Sequence, residues 1–283
     1  MLLSEYKKQF GLALKNEYPV EEINSFFNIL IAHYLKVTRL ELALDPKKEI
    51  SSGNINLFDE ISLRLQQHEP IQYILGETEF FGLKFQVNTN VLIPRPETEE
   101  LVSWILLDLS KNKISAPKIV DIGTGTGCIA ISLAKNLPEA KLTALDISEE
   151  ALKVASNNAE ANEVEVKFEN QDILNLKQAF NFFDIIVSNP PYVRDLEKKE
   201  MNRNVLENEP DGALYVRDND PLIFYEAITK LANESLGTGG RLYFEINQYL
   251  AEETEQLIKN AGFSTTLKRD LFGNFRMIKG IKR

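Results

Sequence analysis

Apolar residues in the first third of the chain recur at the spacing of a helix face; after that they gather into short runs. Ile23, Phe26, Phe27, Leu30, Ile31, Tyr34 and Leu35 follow the i, i+3, i+4, i+7 rule and predict one buried helical stripe. Thr38 is placed to cap a short helix running to Leu44, and Asn54 another running to His68. Residues 77–89 alternate around Phe80-Phe81-Gly82-Leu83-Lys84-Phe85, which predicts a hairpin with Gly82 near its turn. Strands are then predicted at 118–121, 141–146, 165–169, 183–188, 240–246, 263–269 and 275–281, in alternation with helical stretches. The last two lie close together and should pair antiparallel. The pattern predicts a small all-α bundle over 1–75, a β-hairpin linker over 76–95, and an α/β domain over 96–283. That domain should be a doubly wound sheet with helices on both faces.

The first predicted strand, Lys118-Ile119-Val120-Asp121, runs into Gly123-Thr124-Gly125-Thr126-Gly127, and a helix-forming run from Cys128 follows. Strand, glycine loop and helix in that order form the context in which such a loop binds a nucleotide. Glycine turns tightly and lets a ligand approach without a Cβ in the way. The next predicted strand ends in Asp146, 23 positions after Gly123. A carboxylate about 20 residues on is expected to grip ribose hydroxyls. The glycine loop alone does not say which cofactor. Asp121 would repel a pyrophosphate but attract the cationic amino acid part of S-adenosylmethionine, most strongly in a partly dry site.

Asn189-Pro190-Pro191-Tyr192 stands at the end of the apolar run Phe183–Ser188. Asn-Pro also marks ordinary turns, but this tetrapeptide suits a particular chemical problem. The nitrogen of an amide or aryl amine spreads its lone pair into a π-system and is a poor nucleophile. A site that methylates it must hold both N–H groups. Asn189 offers a side-chain carbonyl and Pro190 a backbone carbonyl, stiffened by the proline pair, which also removes competing donors. Tyr192 offers a ring to stack on a flat substrate group. A parallel sheet collects its functional loops at the carboxyl ends of its strands, so both motifs should face one pocket. The work would be positioning and hydrogen bonding to a partly pyramidal nitrogen, with no strict general base.

Over nearly its whole length the chain resembles the protein-(glutamine-N5) methyltransferases that modify peptide chain release factors. The resemblance runs through Val91-Leu92-Ile93-Pro94-Arg95-Pro96-Glu97-Thr98-Glu99, the glycine loop, Asp146, Ser188–Val193 and Arg269-Asp270-Leu271-Phe272-Gly273-Asn274-Phe275-Arg276. It implies a Rossmann-like class I methyltransferase sheet, S-adenosylmethionine as cofactor, and the glutamine of the Gly-Gly-Gln motif in class 1 release factors as substrate. Carried over, Gly123 to Gly127 and Asp146 would hold the cofactor, and Asp121 and Asn189 are expected beside it. Asn189, Pro190, Pro191 and Tyr192 would bind the glutamine amide. Relatives often place an aromatic residue against the adenine where this chain reads Gln171-Asp172-Ile173-Leu174. Asp172 is therefore expected on the base amine, with Ile173 packing on the ring. Arg95 and Glu97 either line the pocket mouth or belong only to the start of the helix at Pro96, a residue suited to a first helical position.

Composition narrows the alternatives. The net charge is −10, and 10 Lys and Arg against 12 Asp and Glu in residues 1–95 leave −2 there and −8 in the rest. Phosphate binding needs clustered Lys and Arg, so free nucleic acid is not an expected partner. That disfavours the alternative of an N-methyltransferase acting on an exocyclic amine of adenine or cytosine, which would use the same tetrapeptide on a flipped base. A cofactor-binding assembly factor without catalysis would have no need for both amide acceptors. No run of ~20 apolar residues suits a membrane span, Met1–Tyr6 lack the parts of a signal peptide, and the single Cys128 fits a reducing cytoplasm. Cys128 reads as a small buried helix residue, no cluster has metal-ligand spacing, and a monomer is expected. The helical region reads as a platform for a protein substrate.

Overall fold

The computed structural model describes residues 1–45, 47–112, 114–176 and 182–283. By internal contact it divides into two units, residues 1–75 with 203–208, and residues 76–202 with 209–283. Residues 76–95, expected as a separate linker, therefore cluster with the larger unit. A short segment from far along the chain clusters with the smaller one.

The smaller unit is helical: α1 (Leu3–Leu14), α2 (Val20–Leu35), α3 (Arg39–Leu44), α4 (Ser52–Gln66) and α5 (Ile71–Leu75). In α1 the residues Leu3, Tyr6, Phe10 and Leu14 fall on one stripe and are buried. They meet Phe27, Leu30 and Ile31 of α2 and Phe58 and Leu65 of α4 in one apolar cluster. Burying a side chain such as Phe27 contributes roughly 1.5–3 kcal/mol. Thr38 caps α3 in a reciprocal box, its Oγ1 accepting from Glu41 N at 3.1 Å and its own N–H donating to Glu41 Oε2 at 2.7 Å. The next cap differs from expectation. Ser51 holds the start of α4 by accepting from Asn54 N at 3.2 Å, because its hydroxyl reaches the free amide three residues on. Residues 203–208 join this unit through Asn208, whose Nδ2 donates to His68 O at 3.1 Å.

In the larger unit the hairpin comes first, β1 (Glu77–Phe80) and β2 (Leu83–Gln86). Phe81 and Gly82 both have positive φ at its turn, 53° and 72°, which matches the twist of the flanking strands. Then follow α6 (Pro96–Asn112), β3 (Lys118–Ile122), α7 (Cys128–Asn136), β4 (Lys141–Asp146), α8 (Glu149–Ala161), β5 (Lys167–Asn170), β6 (Phe183–Ser188) and β7 (Val193–Arg194). The rest is α9 (Arg203–Asn208, of the helical unit), α10 (Asp211–Leu214), β8 (Tyr215–Val216), α11 (Ile223–Ser235), β9 (Leu236–Glu245), α12 (Ala251–Asn260), β10 (Phe263–Arg269) and β11 (Phe275–Lys282). The strand expected from 165 begins at Lys167, and that expected from 240 begins at Leu236. The small parallel pair β7–β8 was not expected, since two-residue strands have no readable period.

Seven strands form one sheet in the order β10-β11-β9-β6-β3-β4-β5. β9, β6, β3, β4 and β5 are parallel, and β11 and β10 add antiparallel. Alternation along each strand feeds two cores. Ile119, Ile185, Val187 and Tyr243 meet α6 and α7 on one face. Val120, Ile122, Ile186 and Phe244 meet α11 and α12 on the other. Both faces are covered, which is why these strands read as nearly continuous apolar runs. The order reverses at β3, with β4 on one side and β6 on the other. Such a switch point opens a crevice at the carboxyl ends of the strands.

Candidate functional site

The pairing register aligns the strand ends. Phe244, Ser188, Ile122 and Leu145 stand in one row across β9, β6, β3 and β4. One residue further along come Glu245, Asn189, Gly123 and Asp146, with Asn170 paired to Asp146 on β5. Every chemically distinctive residue of the motifs therefore leaves the sheet at one edge.

The glycine loop hangs from its neighbour strand. Gly123 and Thr124 donate their N–H groups to Leu145 O at 2.8 and 3.0 Å, and Gly127 N donates to Thr124 O at 2.9 Å. Gly123, Gly125 and Gly127 take φ of 72°, 54° and 80°, where a side chain would be strained. Their surroundings differ. A Cβ on Gly123 or Gly125 would meet nothing within 4 Å, whereas one on Gly127 would lie 2.8 Å from Ile131 Cδ1. The first two leave room over the loop, and the third lets α7 pack. Thr126 is buried, and its carbonyl accepts from Asn158 Nδ2 at 2.9 Å. Asn158 also exchanges bonds with the backbone of Gln86, tying loop and hairpin together.

Two acids frame this loop. Asp146 accepts from Gly125 N at 2.8 Å on one oxygen and from Ser148 N at 3.0 Å on the other, and burial pushes its carboxyl up from the ordinary value. Asp121 is wholly buried. Its Oδ2 accepts from Thr124 Oγ1 at 2.6 Å, and its Oδ1 has no partner. Burial, helped by the Asp146 charge, outweighs the Thr124 bond and the nearby Ala130 N–H and drives this carboxyl up to about 7. An unpaired buried carboxylate oxygen is costly, and a cationic ligand group beside an open glycine loop fits its need. Burial likewise pushes the Cys128 thiol up to about 12, which suits a packing residue and not a nucleophile.

On the other side of the switch point, Ser188 Oγ donates to Ile122 O at 2.6 Å and fixes the end of β6. Pro190 is buried, and Pro191 and Tyr192 are half-buried. Tyr192 is held at both backbone groups, its N–H by Leu214 O at 3.2 Å and its carbonyl by Asn247 Nδ2 at 2.9 Å. Its hydroxyl donates to Glu245 Oε1 at 3.0 Å, and burial with the nearby Glu245 charge pushes the phenol well up. Glu245 Oε2 accepts from Thr98 Oγ1 at 2.6 Å, and Asn189 Nδ2 donates to that same Thr98 oxygen at 3.3 Å. Burial raises the Glu245 carboxyl against the Thr98 and Tyr192 bonds and the Arg276 charge, while Glu97 acts with burial.

Of the remaining expected residues, Arg95, Asp172 and Ile173 each have partners of their own. Arg95 forms an ion pair with buried Glu209, which also accepts from Ile93 N at 3.2 Å, and its carbonyl accepts from Thr98 N at 3.1 Å in the first turn of α6. Its charge is thus engaged in holding the entry to α6. Asp172 accepts from Leu174 N at 2.9 Å and from Asn175 Nδ2 at 2.6 Å, and Ile173 packs against the core beneath α11. Thr98, Glu245, Asn247 and Arg276 were missed as site residues. Thr98 and Arg276 stand inside blocks that carry the resemblance, and Glu245, like Asp146, is an acid at the end of a predicted strand. A cavity of about 800 Å³ lined by Lys118, Lys141 and Lys167 lies at the amino ends of the strands and includes no motif residue. Among the described residues, no helix is long and apolar enough to cross a membrane.

Comparison with known proteins shows the family and the fold. Residues 8–76 match the PrmC N-terminal domain and residues 101–219 the methyltransferase small domain. The chain is 52 % identical over 281 residues to a release factor glutamine methyltransferase of Flavobacterium psychrophilum, covering 99 % of each. A protein of the same name from Bacteroides thetaiotaomicron is 44 % identical, over 94 % of this chain and 95 % of its own. Among solved structures, a T. thermophilus 16S rRNA N2 G1207 methyltransferase in complex with AdoMet and guanosine aligns with TM-score 0.54. At 19 % identity, over 73 % of this chain and 50 % of that one, it shows the shared fold.

Proposed function

The chain belongs to the release factor glutamine methyltransferases, and from that membership we propose that it methylates the side-chain amide nitrogen of the glutamine in the Gly-Gly-Gln motif of class 1 release factors. The methyl donor is S-adenosylmethionine, which supplies an electrophilic methyl group when bound. The observation that carries the reading is the register that brings Asn189 level with Gly123 and Asp146 on three neighbouring strands.

In this reading Asp121 takes the cofactor's ammonium on its unpartnered oxygen, and Gly123, Thr124, Gly125, Thr126 and Gly127 lend backbone to it. Asp146 takes the ribose hydroxyls. Each carboxylate oxygen has about two acceptor sites, so its bonds to Gly125 and Ser148 leave capacity. Asp172 has the same reserve for the adenine amine, with Ile173 against the ring. Asn189 Oδ1 and the Pro190 carbonyl accept the two N–H groups of the glutamine amide, Pro191 keeps that carbonyl rigid, and Tyr192 packs beside the amide plane. Holding both N–H groups leaves the nitrogen lone pair no partner but the incoming methyl. The nitrogen sheds its proton to water after transfer, passed along one of the two acceptors. Arg95 serves this site as a strut for α6, and Glu97 stays at the pocket mouth. The helical unit grips the release factor. The acidic surface supports a protein substrate over free nucleic acid, and we place the enzyme in the cytoplasm as a monomer.

Labelled S-adenosylmethionine tests the proposal when offered with a release factor, its Gly-Gly-Gln→Gly-Gly-Ala variant and duplex DNA. Label on the wild-type factor alone is the expected result. Label on DNA would move the same pocket to an exocyclic base amine, and no label with the cofactor still bound would leave a binding protein.

A further inference from the structure

We infer that Thr98 and Glu245 are positioning residues that set which end of the Asn189 side-chain amide faces the substrate. An asparagine amide has a donor end and an acceptor end of nearly the same shape. Only the acceptor end can take an N–H of a glutamine amide, so the site needs a device that forbids the other orientation. Glu245 stands one residue beyond the register row, level with Asn189 on the neighbouring strand. Ionised, its carboxylate has acceptors only. Thr98 Oγ1 lies 2.6 Å from Glu245 Oε2, a charge-assisted distance. A hydroxyl carries a single proton, and that one is committed to Glu245. Toward Asn189 the same oxygen can therefore only accept.

Asn189 must present Nδ2 to it, at 3.3 Å, and turns Oδ1 the other way. A flipped amide would set two oxygens against each other with no proton between them, and would offer the substrate a donor where an acceptor is required. The second oxygen of Glu245 accepts from Tyr192 O–H at 3.0 Å, so one buried carboxylate sets the polarity of the motif's first residue and tethers its last. The inference rests on the proposed function for its consequence. The hydrogen-bond polarity itself does not.

The test uses the full chain carrying Thr98→Val, Thr98→Ser or Glu245→Gln. Val keeps the shape of Thr without the hydroxyl, whereas Ser keeps the hydroxyl. Three properties are read: single-turnover methylation of a release factor at saturating cofactor, cofactor affinity by calorimetry, and the Asn189 Nδ2 signals in ¹⁵N-correlated NMR, assigned by their loss in Asn189→Ala. Thr98→Val should slow methyl transfer about 10–100-fold with cofactor affinity within about twofold. It should also displace the Asn189 Nδ2 signals. Thr98→Ser should restore both rate and signals, and Glu245→Gln should lie between, because a glutamine can accept the hydroxyl proton or donate in its place. A wild-type rate and an unmoved Asn189 signal in Thr98→Val would overturn the inference. So would a rate loss matched by equal losses of cofactor affinity and thermal stability. If the wild type itself leaves the release factor unlabelled, the functional reading fails, while the NMR displacement still decides the arrangement.

Discussion

In the helical unit the side chains sealed from water are Tyr6, Phe10, Phe27, Phe58 and their aliphatic neighbours, and of its described Asp, Glu, Lys, Arg and His residues only His68 is buried. In the sheet unit Asp108, Asp121, Glu197, Glu209, Glu245 and Asp270 are all buried. Burying a carboxylate without compensation is costly, so each of these acids needs an account. Four have a cation. Asp108 pairs with Lys279 at 2.6 Å, Asp270 with Arg276 at 3.3 Å, Glu197 with Arg194, and Glu209 with Arg95. Burial acts to raise the Asp108 carboxyl, but Lys279 and the Tyr243 hydroxyl outweigh it, and it sits below its ordinary value.

Asp121 and Glu245 make no ion pair among the described residues, rest on hydroxyl groups, and are both raised. They stand at the two sides of the switch point, at the ends of β3 and β9. The core of the helical unit shows what burial looks like when it serves stability. The sheet unit shows where the fold buries carboxyl groups outside any ion pair of the described residues, and the proposed function puts the ligands there.

The sharpest way to break this contrast is to damage each unit in its own terms. Phe27→Ala should cost about 3–5 kcal/mol of helical-unit stability through the cavity it leaves, read by denaturant unfolding, with cofactor affinity unchanged by calorimetry. A large fall in cofactor affinity would deny the division of labour. Asn189→Ala should slow single-turnover methyl transfer about 10²–10³-fold, as for removal of one positioned hydrogen-bonding group, with cofactor affinity nearly intact. Equal losses of both would make Asn189 structural. Asp146→Ala should do the reverse, weakening cofactor binding by about 2 kcal/mol, the cost of removing a charged partner, with a smaller effect on rate at saturation.

The mildest effect is a pH dependence. Asp121 keeps its proton in the folded protein up to about 7, whereas an unfolded Asp loses it near ~4. Between these values the folded state binds more protons, so the cofactor-free protein should lose stability as pH rises. Only the ionised carboxylate attracts a cation, so cofactor affinity should climb by up to about tenfold per pH unit toward 7 and then level off. Calorimetry from pH 5.5 to 8 on wild type and Asp121→Asn checks this. A flat wild-type profile would separate Asp121 from the cofactor.

The sequence alone was enough for whatever depends on neighbours along the chain. The helical face of α2, the glycine loop, the acid ending β4, the Asn-Pro-Pro-Tyr turn and the pairing of the last two strands are each written in a few consecutive residues, because period, turn chemistry and loop conformation are local properties. Boundaries were less legible. The cap of α4 moved to Ser51, and β9 began at Leu236, since ends are decided by which hydroxyl or neighbouring strand happens to be in reach.

What only the tertiary structure decided is the company those motifs keep. Thr98 lies 91 positions from Asn189 and 147 from Glu245, yet their side chains form one chain of hydrogen bonds. The register across β9, β6 and β3 and the packing of α6 on the sheet bring them together, and both result from apolar contacts summed over two faces of the sheet. No local pattern carries such a sum. The residues proposed to act chemically could be read from their own surroundings in the sequence, whereas those proposed to orient them came together only once the sheet had set the distances.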